Sequence, residues 1–192
     1  MLPLILASSS SYRQHLLKRL QIPFQQHSEP IDETPYPLES ANELAVRLAT
    51  EKSQAIASKF SSHLIIGSDQ VACLGSTLLN KPLTTQKAFE QLSACSGQHV
   101  TFFTGIVLFN TKTQRRQVDC ICCNVYFRSL NAQQITRYIE KEKPLNCAGS
   151  FKVEGLGISL FKRLEGDDIN SLIGLPLIRL TDMLLSEGYC IP

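Results

Sequence analysis

Leu4-Ile5-Leu6-Ala7-Ser8-Ser9-Ser10-Ser11-Tyr12-Arg13 is the stretch on which the fold turns. Four apolar residues have the length and character of a short buried strand. Four serines end that run abruptly, and Tyr12 to Leu20 resumes with helical spacing. Strand, small polar turn, helix is an order that gathers backbone N–H groups and hydroxyls at a helix N-terminus, where an anion is favoured. Arg13 falls in the first helical turn, from which its planar fork can close on the same anion. Two readings stay open on these residues alone: the serines only cap a helix, or they also hold a phosphate.

Outward from this unit, Ile22 to His27 reads as a short strand, followed by a polar loop, Ser28 to Glu39, with three prolines and the acidic cluster Glu29, Asp32 and Glu33. A loop of that length and charge is expected to be functional or mobile. Ser40-Ala41-Asn42-Glu43 is a capping box opening a helix to about Phe60. Lys52 lies on the Leu48 row of that helix, so its ammonium either snorkels to the edge or enters a pocket. Leu64 to Ala72 is an apolar strand interrupted by Gly67-Ser68-Asp69-Gln70. An aspartate inside such a strand is costly unless it is paired or functional, so Asp69 is expected to be a functional carboxylate. Gly67 would allow a bulge or the close approach of a ligand.

The remaining chain mixes both kinds of element without repeats. Leu78 to Leu83 is extended, with Lys81 kept out of helix by Pro82. Thr84-Thr85 caps a helix ending near Gly97, and Val100–Phe109 with Val118–Phe127 reads as a long antiparallel hairpin with Arg115-Arg116 at its solvated turn. Asn131 caps a helix to about Lys143. Asn146 to Gly157 is glycine-rich and matches neither a P-loop nor a dinucleotide fingerprint; Lys152 and Glu154 are expected on one face of a strand there. Ile158 to Phe161 is expected to be a strand, and Ser171 to Gly188 a closing helix with Pro176 near its start. The class is α/β, with a mixed sheet in two lobes around a cleft.

Composition limits the function. Over 192 residues the net charge is +2 and neither sign forms a long run, which argues against a nucleic-acid surface and confines phosphate chemistry to a pocket. No apolar segment approaches the ~20 residues of a membrane helix, and the first run is too short for a signal sequence, so a cytoplasmic protein is expected. Cys120 and Cys123 have a C-x-x-C spacing without a second Cys or His pair at a suitable distance, and the seven cysteines are read as buried reduced thiols.

Over nearly its whole length the chain resembles the Maf-like nucleotide pyrophosphatases. The matching pieces are LILASSSSYR, IDETP at Ile31 to Pro35, ATEKSQAIA around Lys52, IIGSDQVA at Ile65 to Ala72, NKPLT at Asn80 to Thr84, CAGSFKVEGLG at Cys147 to Gly157 and NSLIGLPL at Asn170 to Leu177. The resemblance implies a single domain over residues 1–192. Its elongated mixed sheet, flanked by helices in two lobes around a central cleft, would be like that of inosine-triphosphate pyrophosphatases. A homodimer is also implied. The implied activity is metal-dependent hydrolysis of a nucleoside triphosphate to the monophosphate and pyrophosphate, with Mg2+ or Mn2+ as cofactor. Ser8 and Arg13 match the phosphate loop, Glu33 the acidic residue near the metal, Lys52 and Lys81 the two phosphate-facing lysines, and Asp69 the general base, which shares the metal with Glu33.

The set Tyr12, Gln70 and Glu154 resembles the subgroup that hydrolyses 7-methyl-GTP, although Trp is more familiar than Tyr at position 12, and Ser11 replaces a proline. A carboxylate at Glu154 can accept from guanine N1–H and N2–H2, and a methylated, positively charged purine gains ~0.5–2 kcal/mol on an aromatic face. The alternatives are a dTTP/UTP pyrophosphatase, which would leave Glu154 poorly matched, and a non-catalytic nucleotide-binding regulator of cell division, which would bind without turnover.

Overall fold

In β1 (Leu4–Leu6) the side chains alternate between two cores, as the period-two geometry of a strand requires. The computed structural model describes all residues, Met1–Pro192. β1 pairs in parallel with β2 (Gln25–Gln26) on one side and with β3 (Leu64–Leu74) on the other, with Leu6 beside Ile66. Leu4, Leu6, Leu64 and Ile66 join one core with Leu16 and Leu17 of α1 (Ser11–Lys18) and Leu180, Met183 and Leu184 of α6 (Leu177–Ser186). Ile5, Ala7 and Ile65 join a second core with Ala49 of α2 (Ala41–Ala55). Both faces of these parallel strands are therefore covered, which is why they read as unbroken apolar runs.

The sheet has seven strands in the order β2-β1-β3-β5-β6-β7, with β4 (Thr77–Leu78) paired to β3. β5 (His99–Asn110) and β6 (Arg115–Phe127) are the two long strands expected, but the turn is only residues 111–114, so Arg115-Arg116, expected in the turn, begin β6; β7 (Phe161–Gly166) runs antiparallel to β6. Helices α3 (Thr85–Cys95), α4 (Ala132–Glu142) and α5 (Ile169–Ile173) complete the mixed α/β set. The sequence-predicted caps are in place: Ser40 and Glu43 form the reciprocal box of α2, Thr84 caps α3 and Asn131 caps α4.

The chain divides into two compact units. The first comprises residues 1–70, 104–121 and 168–192, the second residues 71–103 and 122–167. The second unit is centred on aromatic packing: Phe102, Phe127, Phe151 and Phe161 meet edge to face with centroids 4.7–5.6 Å apart.

Three expectations are corrected. Lys152 and Glu154 are not on a strand, because their segment bonds to α4 instead of a ladder: the Lys152 N–H donates to the Tyr138 hydroxyl, and the Leu156 N–H to a Glu142 carboxylate oxygen. Ile158 to Leu160 lies in a 3-10 helix, Leu156–Leu160, and the strand starts only at Phe161. The closing helix is broken. Gly174 takes a left-handed conformation (φ 118°) that ends α5, Pro176 stands at the N-cap of α6, and the buried Asp168 accepts from the N–H groups of Asn170 and Ile178.

The cysteines depart from expectation too, since only Cys73, Cys95 and Cys123 are buried, whereas Cys122 and Cys190 are exposed. Burial pushes the thiols of Cys95 and Cys123 up to about 12 and about 11, so neither is a thiolate at neutral pH. No helix is long and apolar enough to cross a membrane.

Candidate active site

The first unit brings five of the sequence-predicted residues together: Ser8, Arg13, Glu33, Lys52 and Asp69. Their meeting begins with two glycines. A Cβ at Gly67 of β3 would overlap the Ala49 carbonyl oxygen, and one at Gly105 of β5 the Ala45 carbonyl oxygen. The backbone of α2 thus lies directly on the sheet at residues four apart, on one helix face. Gly67 serves this close approach of a helix, not the bulge or ligand contact expected of it. Asp69 is two residues beyond Gly67 and so returns to the same sheet face, while Lys52 is one turn beyond Ala49. The two elements that must meet are seated against each other by the absence of side chains.

Asp69 is only 8% exposed and lies inside β3, which continues unbroken to Leu74. Its Oδ1 receives the Lys52 ammonium, and the Arg13 Nη2 stands 3.9 Å away. Lys52 also donates to Glu33 Oε1 at 2.7 Å, so one ammonium bridges two carboxylates. This decides between the alternatives left open for Lys52: its ammonium points inward. Arg13 donates from Nε to the Gly174 carbonyl (2.8 Å) and from Nη1 to Ser8 Oγ (3.3 Å). Burial lowers the Arg13 pKa, and the charges of Asp69 and then Glu33 oppose that fall. The guanidinium remains the permanent cation of the cluster.

The serine turn is ordered around the start of α1. Ser10 caps the helix by accepting from the Arg13 N–H, and Ser8 Oγ accepts from the Ser10 N–H. Gln26 of β2 donates to the Ser8 carbonyl at 2.6 Å. Capping is therefore present, and the turn also places the buried Ser8 against Arg13, whose half-buried guanidinium faces Asp69.

Gln70, expected to contact substrate, directs its amide nitrogen at the Ser171 and Leu172 carbonyls (2.7 and 3.1 Å) and at Thr104 Oγ1 (3.3 Å). It ties β3 to α5. Ser68 Oγ lies 2.9 Å from both the Gly105 and Gly174 carbonyls. Ser68 and Gly174 were given no role from sequence. The signal was the NSLIGLPL stretch, whose glycine supplies a carbonyl to Arg13. Tyr12 is exposed on the first turn of α1. Lys81 and Glu154 belong to the second unit, both exposed.

The donor set suits a hard divalent cation. Glu33 and Asp69 converge on one cationic centre, the Lys52 ammonium, and two carboxylates are what Mg2+ takes from a protein when phosphate oxygens and water complete its shell. No group of three or more His, Cys, Asp or Glu side chains forms a metal-binding cluster of its own. Such an ion would therefore depend on substrate for the rest of its ligands.

The family model for Maf-like proteins matches residues 3–187. A "7-methyl-GTP pyrophosphatase" of Pseudomonas fluorescens is 56% identical over 192 residues, covering 100% of both chains. Another of that name, from Pseudomonas aeruginosa, is 54% identical over 189 residues and 98% of each chain. Among solved structures, a HAM1 protein from Coxiella burnetii matches 97% of this chain and all of its own, with a TM-score of 0.53 at 14% identity. That likeness supports the mixed α/β fold alone.

Proposed function

The chain belongs to the Maf-like family, and from that premise we propose that it hydrolyses 7-methyl-GTP to 7-methyl-GMP and pyrophosphate. The observation that carries the chemistry is the meeting of Lys52 and Arg13 on a strand aspartate, Asp69. The choice of base is supported by the full-length relatives of that name and by Tyr12 and Glu154.

In this mechanism a water attacks the α-phosphorus, and the bond from that phosphorus to the oxygen it shares with the β-phosphorus breaks, the oxygen leaving with pyrophosphate. Asp69 takes the proton from that water as it attacks, a role suited to a buried carboxylate held in place by two neighbouring cations. Arg13, Lys52 and Lys81 bind the phosphate oxygens and offset the charge that builds up as pyrophosphate leaves. Ser8 and the first N–H groups of α1 orient the phosphate end. Glu33 and Asp69 are the residues that would hold a Mg2+ or Mn2+ ion, which when bound polarises phosphate oxygens. Tyr12 stacks on the cationic purine, and Glu154 accepts from its N1–H and N2–H2. The proposal includes a cytoplasmic homodimer that binds neither nucleic acid nor membrane.

The test is turnover of 7-methyl-GTP, GTP, UTP and dTTP by the purified protein with Mg2+ or Mn2+, with the products separated. The methylated nucleotide is expected to be hydrolysed fastest, releasing pyrophosphate. Faster turnover of UTP or dTTP would overturn the choice of substrate, and release of inorganic phosphate would overturn the site of attack.

A further inference from the structure

We propose that Arg47 is a positioning residue that holds the acidic loop so that Glu33 reaches Lys52, an inference resting on the role given to Glu33 above. Glu33 lies in a segment without helix or strand, and its side chain is 56% exposed. Burial does not fix its place, and a half-exposed ion pair such as that with Lys52 adds little to the order of a loop. A far more extensive set of contacts holds the segment against α2.

Arg47 does so with every donor it has. Its Nε and Nη2 form a two-pronged pair with Glu39, at 2.6 and 2.9 Å. Nη2 also donates to the Thr34 carbonyl at 2.9 Å, and Nη1 reaches both Glu51 oxygens at 3.2 Å. The guanidinium carbon sits 3.9 Å from the centre of the Tyr36 ring. Five acceptors meet the five N–H bonds of the fork, leaving none for solvent. Thr34 follows Glu33 in the chain, Glu39 ends the loop just before the cap of α2, and Glu51 precedes Lys52. A single planar cation therefore fastens the peptide beside Glu33, the far end of the loop, and the helical turn that carries the lysine Glu33 must meet. The Arg47 side chain is 15% exposed, so these contacts are largely shielded from water. A lysine has three donors on a flexible stem and cannot reproduce the arrangement.

The test compares Arg47→Lys and Arg47→Ala with the wild-type enzyme by two readouts. Hydrogen exchange over residues 31–39 is expected to quicken in both variants, while the core of α2 stays protected. The Mg2+ or Mn2+ concentration giving half-maximal turnover is expected to rise about tenfold or more, as for other outer partners of metal-binding carboxylates, with the nucleotide KM at saturating metal changed less. Lysine should fail to rescue. Unchanged loop exchange, or unchanged metal dependence with a loosened loop, would overturn the proposal. Arg47→Lys keeps it testable if the alanine variant does not fold. Glu33→Gln, measured alongside, separates the two ideas: normal turnover and metal dependence there would overturn the role of Glu33, and the Arg47 clamp would then stand or fall on loop exchange alone.

Discussion

Asp69 concentrates opposite charge in the first unit, because two cations converge on one buried carboxylate, and the proposed general base is that carboxylate. Asp69→Asn keeps the shape and loses the charge. Its turnover is expected to fall about 10²–10⁴-fold, the usual worth of a general base, as read by pyrophosphate release. Stability should fall as well, by roughly 1–3 kcal/mol in denaturant melts, since Arg13 would lose its nearby carboxylate and Lys52 one of its two. Gln70 makes the opposite case. Its amide nitrogen is committed to the carbonyls of Ser171 and Leu172, so Gln70→Ala is expected to cost about 1–3 kcal/mol of stability: the Leu172 carbonyl loses this donor, whereas the Ser171 carbonyl keeps the Gly174 N–H and Thr104 Oγ1. Asp69 was legible in the sequence because a charge inside an apolar strand breaks a pattern that physics enforces. Gln70 lies in the same stretch, but its partners are backbone carbonyls a hundred residues away, and backbone atoms leave no trace in side-chain patterns.

The elements show where local signals suffice and where they fail. Capping boxes, the long β5–β6 pair and the first strand were all readable, because each depends on residues within a few positions of one another. The spacing over Ser171 to Gly188 predicts one closing helix, whereas Gly174 and Pro176 break it into α5 and α6. That break puts the Gly174 carbonyl in reach of Arg13, a long-range contact that helical spacing does not reveal. The seat of α2 was equally hidden, since Gly67 and Gly105 acquire meaning only beside the carbonyls of Ala49 and Ala45. Gly67→Ala or Gly105→Ala should force the helix off the sheet, costing about 1–3 kcal/mol in thermal or chemical melts. Turnover should fall further than stability explains, because the shift separates Lys52 from Asp69. The acidic loop has its own pH signature. Hydrogen bonding to Arg47 holds the Glu39 carboxyl below its ordinary value of 4.5. Its contribution is therefore present above that value and lost as pH falls through the lower folded-state value. Exchange over residues 31–39, corrected for the intrinsic rate, is expected to quicken in that acid window while the core of β3 stays protected.

At the scale of the whole molecule, seven short motifs specify the family together although several are weak alone, and the full-length match bears this out. What they specify less firmly is the base, which turns on a few side chains such as Tyr12. In this chain the position is tyrosine, exposed on the first turn of α1, and the chain contains no tryptophan at all. A purine methylated at N7 carries a positive charge that an aromatic face attracts, whereas unmodified guanine offers only ordinary stacking. If Tyr12 supplies that face, Tyr12→Leu should lower kcat/KM for 7-methyl-GTP by about the 0.5–2 kcal/mol of a cation–π contact, roughly 2- to 30-fold, and lower it less for GTP. Tyr12→Trp should widen the preference for the methylated base, because indole is the stronger partner. Steady-state kinetics on both nucleotides, with melting temperature as the control for folding, measures the two changes. Equal losses for both nucleotides in Tyr12→Leu would mean that Tyr12 shapes the start of α1 and its phosphate site and does not read the charge of the base.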